Sequence, residues 1–258
     1  QAGFTILEVM LVLAITGLML IGVMAGASAQ VTQQEYRDSV RSLQGELQTQ
    51  YTDVQNPTID RTLGEGATPG GPCGGTSSRG TSQDCFVVGR LVTSSGGQVL
   101  TEQPVLGVPP SASDSSTPIG STTVPAPNAP APSPKQWELI IDNDSSVVSK
   151  YTVNWGATIK IPVITGAQPS QDFSILVIMS PFDGSLQTYT NLTRAVVSSS
   201  DVYKMIQATT QQDANLCVTG GGSAIIGTPL AVQVPLDASS AAGVTMVSQS
   251  QGVCNGIS

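Results

Sequence analysis

Residues 9–29 are 21 consecutive positions without a charge. As a helix rising about 1.5 Å per residue, they span roughly 30 Å, the thickness of a bilayer's hydrocarbon core. One acid, Glu8, stands directly before them, and Gly3-Phe4-Thr5-Ile6-Leu7 precedes it. No proline occurs before Pro57, so nothing forces a helix to stop where the apolar run stops. Beyond it, Val31, Tyr36, Val40, Leu43, Leu47, Tyr51 and Val54 recur at steps of three, four or five, with mostly Gln, Thr, Asp, Glu and Arg between them. That spacing buries one stripe of a helix and leaves the other face wet. The pattern predicts one helix of about fifty residues, roughly 75 Å if straight, ending at Asn56 and Pro57. Residues 4–29 form its part apolar all round, and 30–56 its amphipathic continuation.

Three readings of the apolar run compete. It is a plain transmembrane anchor, a secretory signal peptide with Ala27-Ser28-Ala29 as an A-x-A cleavage pattern, or a segment that resembles those of pilins. Glu8 argues against the first two. An acid at the start of a lipid-spanning segment is costly, and a signal peptide begins with positive charge. Gly17, Gly22, Gly26 and Gly45 are weak points in the helix. Gly22 and Gly26 also form a small-x-x-x-small pair that admits a second helix closely.

The remainder, 57–258, reads as a β-rich head. Aromatics are 4% and charged residues 11% of the 258 residues, with Gly, Pro, Ser and Thr filling the gap. Such a composition suits short strands and long loops. Thr, Gly, Pro and Ser fill a loop at 62–82 that holds Cys73. A hairpin is expected at 84–93 and 98–105, turned by Ser94-Ser95-Gly96-Gly97. Residues 107–135 are a Pro/Ser-rich insertion that cannot bury a core, expected to be polyproline-like or mobile, and suited to O-glycosylation. Strands follow at 137–142 and 147–154 about the turn Asn143-Asp144-Ser145-Ser146, then at 158–164, 173–180, 185–189, 214–218, 224–234 and 243–247. A short helix fits 200–211, capped by Ser200 or Asp201. The fold class is α+β, a long N-terminal helix packed on a mainly antiparallel sheet.

Chemistry is constrained by what is missing. There is no His, which excludes a Ser-His-Asp triad, a Cys-His dyad and an imidazole zinc site. The net charge of −8, with the ten basic residues scattered singly from Arg37 to Lys204, argues against broad nucleic-acid binding by charge. The four cysteines, Cys73, Cys85, Cys217 and Cys254, form no C-x-x-C pair. An even number in a Ser/Thr-rich head that reads as exported favours two disulfides. Three connectivities are open. Nearest-neighbour pairing, Cys73 with Cys85 and Cys217 with Cys254, closes two local loops, and free buried thiols are the alternative. Asp142-Asn143-Asp144 is the one oxygen-rich cluster, and Asn and Asp are equally the residues of turns. Gly220-Gly221-Gly222 lacks the Lys-Ser/Thr of a phosphate loop and reads as a strand connection. Asp183-Gly184 reads as a hairpin turn, and Asn143 and Asn191 begin glycosylation sequons that are common by chance. No acid pair is spaced for glycoside chemistry, and no catalytic constellation, metal set or cofactor motif is found.

The run Gly3-Phe4-Thr5-Ile6-Leu7-Glu8-Val9-Met10-Leu11-Val12-Leu13-Ala14-Ile15 resembles the class III signal of type IV pilins and pseudopilins. The resemblance covers about the first thirty residues. More weakly, the Phe182-Asp183-Gly184 hairpin and the late Cys217 are similar to features of minor pilins. The resemblance implies a pilin-like fold, cleavage after Gly3 by a prepilin peptidase and N-methylation of Phe4. Gln1-Ala2-Gly3 would then be the remnant of a leader. It further implies that Glu8 meets the α-amino group of Phe4 on a neighbouring subunit in a filament of identical copies. Many pilins carry a proline late in the apolar helix, where the helix opens on assembly. This chain has none there, and Gly17, Gly22 and Gly26 are the positions for such an extension. The implied partners are the chain itself as a helical homopolymer, the prepilin peptidase and pilus assembly machinery, and the cytoplasmic membrane before assembly. The implied role is that of a structural subunit of a cell-surface filament for attachment and twitching motility. The alternative is a minor pilin or pseudopilin serving as an adhesin for a host surface, in DNA uptake or in type II secretion. A membrane-tethered enzyme is the remotest class.

Overall fold

In the computed structural model of the chain, residues 5–56, 86–108, 123–124, 137–143, 147–162, 169–180, 184–208, 211–220, 229–248 and 254 are described. One unbroken helix, α1 (Ile6–Gln55), occupies the N-terminal fifth. It ends where the Asn56 N–H caps the Thr52 carbonyl at 2.9 Å, one residue before Pro57. Its stripe Tyr36, Val40, Leu43, Leu47, Tyr51 and Val54 is buried. Val31, expected to belong to that stripe, is 51% exposed. The helix has already left the head at that level, and Tyr36 is the first buried side chain described on it.

Among its described residues the head holds two antiparallel sheets where one was expected. The first is built from β1 (Phe86–Ser94), β2 (Val99–Val108), β3 (Thr123–Val124), β4 (Trp137–Ile141), β5 (Ser149–Thr152), β7 (Phe173–Met179) and β8 (Leu186–Asn191). Its order is β3-β4-β2-β1-β7-β8, with β5 also on β2. The second contains β6 (Thr158–Lys160), β9 (Ala214–Thr219), β10 (Leu230–Val234) and β11 (Thr245–Ser248), in the order β11-β10-β9-β6. The expected β1–β2 hairpin forms, with Ser94 opposite Leu100. Gly96 and Gly97 turn it at φ of 86° and 72°. A Cβ on Gly97 would collide with the Ile159 carbonyl, and the Ile159 N–H donates to the Gly97 carbonyl at 2.8 Å. The turn of one sheet therefore rests on an edge strand of the other, which only glycine permits.

Three expectations are corrected. The strands that flank 143–146 do not form a hairpin with each other. Val105–Val108 of β2 pairs with β4 and Val99–Glu102 with β5, so β4 and β5 are two lengths of one interrupted strand on the same side of β2. Asp144, Ser145 and Ser146 lie outside the described residues, and only long-range pairing separates an interrupted strand from a hairpin. The insertion at 107–135 is trimmed. Gly107 and Val108 continue β2, and the β-branched pair Thr123-Val124 adds β3 beside Glu138 and Trp137. The other residues of that insertion lie outside the described ones. The second helix, α2 (Ser199–Gln207), is capped by Ser198 rather than Ser200 or Asp201. The Ser198 hydroxyl oxygen accepts from the Asp201 N–H at 3.3 Å and lies 2.7 Å from the Asp201 carboxylate, to which it donates. That hydroxyl, with Arg194 and Lys204 beside it, holds the Asp201 carboxyl below its usual range.

The main core lies where the α1 stripe meets both sheets. Val92, Phe173, Ile175 and Val177 from the first join Ile159, Leu216, Val218, Val232 and Val234 from the second. A second cluster, with Leu91, Leu176 and Ile178, lies on the opposite face of the first sheet under Val202 and Met205 of α2. Helices on both faces explain why β7 reads Phe-Ser-Ile-Leu-Val-Ile-Met without polar alternation.

Candidate functional site

The exposed half of α1 begins with a cap that the sequence reading missed. Thr5 is the N-cap, and its hydroxyl oxygen accepts from the Glu8 N–H at 3.3 Å. Thr5-x-x-Glu8 is the spacing of a capping box, a signal present in the chain but overshadowed by the apolar run. Glu8 is the only charge from Ile6 to Ala29, and its exposed side chain stands at the positive end of the helix dipole. From Ile6 to Met24 none of the helix is buried, and the segment is long and apolar enough to cross a membrane. The Thr16 hydroxyl, which would be costly in lipid, donates to the Val12 carbonyl at 2.9 Å and lies 3.1 Å from that of Leu13. Gly17, Gly22 and Gly26 sit inside the continuous helix, and apart from the helix's own nearby backbone no described atom lies within 4 Å of an added Cβ. The expected processing positions Gly3 and Phe4 lie outside the described residues.

Where α1 enters the head, hydrogen bonds fix both flanks. The Tyr36 hydroxyl accepts from the Leu230 N–H at 2.7 Å and donates to the Val218 carbonyl at 3.0 Å, tying α1 to β9 and β10. Gln44 and Gln48 both donate to the Val244 carbonyl, at 3.0 and 3.1 Å. On the other flank Ser39 donates to the Asn154 carbonyl at 2.9 Å. Higher up, the Tyr51 and Thr188 hydroxyls are 2.7 Å apart. Burial raises the Tyr36 phenol and pushes Tyr51 up to about 12, against the pull of their hydrogen bonds. Both stay neutral and remain able to donate across the ordinary pH range. The exposed half is thus an extension of a rigidly seated helix.

Of the four cysteines, Cys217 and Cys254 are joined by a disulfide, with Cα atoms 5.9 Å apart. Cys73 and Cys85 lie outside the described residues. Asp142 and Asn143 do not converge as ligands. Asp142 is buried and its N–H donates to the Pro104 carbonyl at 2.9 Å, while Asn143 accepts from the Gln103 amide at 2.6 Å. Asp144, Gly221, Gly222, Phe182 and Asp183 lie outside the described residues. Gly184 has a φ of 70°, and Ser180 and Ser185 pair across the β7–β8 turn at 2.8 Å. Asn191 caps its own loop, accepting from the Thr193 N–H and hydroxyl at 3.2 and 2.9 Å, which accounts for that sequon as a turn. Comparison of the chain with models of known protein families, with curated proteins and with solved structures gives no match.

Proposed function

We propose that this chain is a pilin-like structural subunit that polymerises through the N-terminal half of α1 into a surface filament, after waiting in the membrane as a single-pass protein. The observation that carries the reading is the union of three features in one helix. The segment from Ile6 to Met24 is wholly uncovered, Glu8 is its one charge, and the same helix continues without a linker into the core of the head. An apolar helix exposed on every side needs lipid or other helices around it. Glu8 is costly at the start of a lipid-spanning segment, and inside a bundle of helices it requires a positive partner. The α-amino group of Phe4 in a neighbouring copy, freed by cleavage after Gly3, supplies that charge and sets the register of addition.

The test is Glu8→Ala in the full chain. Export and head folding are expected to match the wild type, while electron microscopy shows filaments lost or disordered. Normal filaments in that variant would remove the role from Glu8. Copies per fibre then set the position of the subunit. An abundant protein forms the shaft, whereas a scarce one whose loss spares the fibre but ends attachment acts at the tip.

A further inference from the structure

Ser42, Glu46, Gln50 and Asp53 follow one another on α1 at steps of four, four and three, so they share one flank of the helix. That flank meets the first sheet in three rungs. At one end Ser42 accepts from the Tyr151 hydroxyl of β5 at 2.9 Å. At the other Asp53 pairs with Arg90 of β1 at 2.8 Å. Both are complementary. The middle rung is not, because there the Glu46 carboxyl comes within hydrogen-bonding reach of another carboxyl, Glu102 of β2.

Glu102 is 3% exposed. Its Oε2 accepts from the Ser149 hydroxyl at 2.6 Å, and its Oε1 is buried without a hydrogen-bond partner. Gln50 uses its amide nitrogen on Glu46 at 3.2 Å, and its own buried oxygen has no donor. The seam is thus rich in acceptors, and two of them lack a hydrogen. A buried acceptor left unmade costs roughly 1–3 kcal/mol, and two facing carboxylates cost more. The charged and titratable groups around the rung are few. Asp53 of α1 is engaged with Arg90, Tyr151 of β5 bonds Ser42, and exposed Lys150 is on the opposite face of β5 by strand alternation.

We propose that the buried Glu102 carboxyl keeps its proton in the folded chain and donates it to Glu46, and that this proton is a latch fastening the flank of α1 to the first sheet. With it, one carboxyl donates to the other and the rung closes. Without it, two negative charges face each other across a seam in which Glu102 is buried and Arg90 is paired with Asp53. Burial, and after it the Glu46 carboxyl, push Glu102 from its ordinary 4.5 up to about 7, while Ser149 and Arg90 pull the other way. Between those values the folded chain holds a proton that the unfolded chain has released. The latch is therefore complete below 4.5 and is lost as the pH rises through about 7. It belongs to the head and does not depend on filament assembly.

Hydrogen exchange of the full chain in detergent micelles tests this, read by mass spectrometry and corrected for intrinsic exchange. Protection of the α1 amides at 42–55 is expected to fall about tenfold from pH 5 to pH 8. In Glu102→Gln the side chain donates to Glu46 and still accepts from Ser149, so protection stays at its acid value throughout. Glu46→Gln, at a half-exposed position, removes the facing charge but leaves Glu102 buried, so its profile is shallower than that of the wild type, and it carries the test if the buried substitution impairs folding. A flat wild-type profile overturns the latch, as does an unchanged slope in both variants. It is also overturned if a chelator removes protection at neutral pH and calcium or magnesium restores it, since a cation would then be the bridge.

Discussion

The two halves of α1 share one backbone and have opposite surroundings. From Ile6 to Met24 the apolar residues wrap all round and none is buried, whereas from Tyr36 to Val54 they form a stripe that is nine-tenths or more buried. A stripe is a statement about the chain's own fold, because one apolar face needs one covering surface. Apolarity on every side is a statement about surroundings, because no single face of the head can cover it. Helix propensity does not separate the halves, and the arrangement of the apolar residues does. The lower half is thus left for surroundings outside the chain, while the upper half stays seated in the head.

The sharpest challenge to that contrast is the same truncation in each half. Leu47→Ala is expected to lower the stability of the head by about 3 kcal/mol, and Leu13→Ala by less than about 0.5 kcal/mol. Denaturant unfolding of the full chain in micelles measures both, and equal losses would abolish the distinction. The boundary comes next. Tyr36→Phe leaves the Leu230 N–H unpaired and is expected to cost about 1–2 kcal/mol in the same measurement. A neutral result would move the boundary further up the helix. The smallest effect is a gain. Gly45 lies on the outer face of the seated half with room for a methyl group, so Gly45→Ala is expected to stabilise the head by about 0.5–1 kcal/mol. Gly22→Ala, equally unobstructed, should leave head unfolding unchanged. A comparable gain there would show that the halves melt together.

Much of α1 was legible because its signals are local. The absence of proline before Pro57 and the recurrence from Tyr36 to Val54 suffice for a helix that ends at Gln55. The β1–β2 hairpin was legible for the same reason, since Ser-Ser-Gly-Gly supplies two residues that accept positive φ. What failed to show is non-local. Dividing the strands between two sheets depends on partners such as Ala231 with Cys217, which no window of sequence contains. The joining of β4 and β5 into one interrupted strand depends on their common partner β2. At the candidate site, Glu8 stood out as a charge in an apolar run, while Thr5 passed as one more residue of the motif. The rung of Glu46 and Glu102 was invisible because Glu46 looks like part of a wet helix face and Glu102 like an ordinary polar residue in a strand.

The Cys217–Cys254 bond also fixes how the head would carry a mechanical load. A pull applied to residues beyond Cys254 reaches Cys217 in β9 through the covalent bridge. The 37-residue separation between the two cysteines contains β10 and β11, which therefore lie off the tensioned path. Under strain these two strands stay slack, and the force passes into β9, which is flanked by β6 and β10.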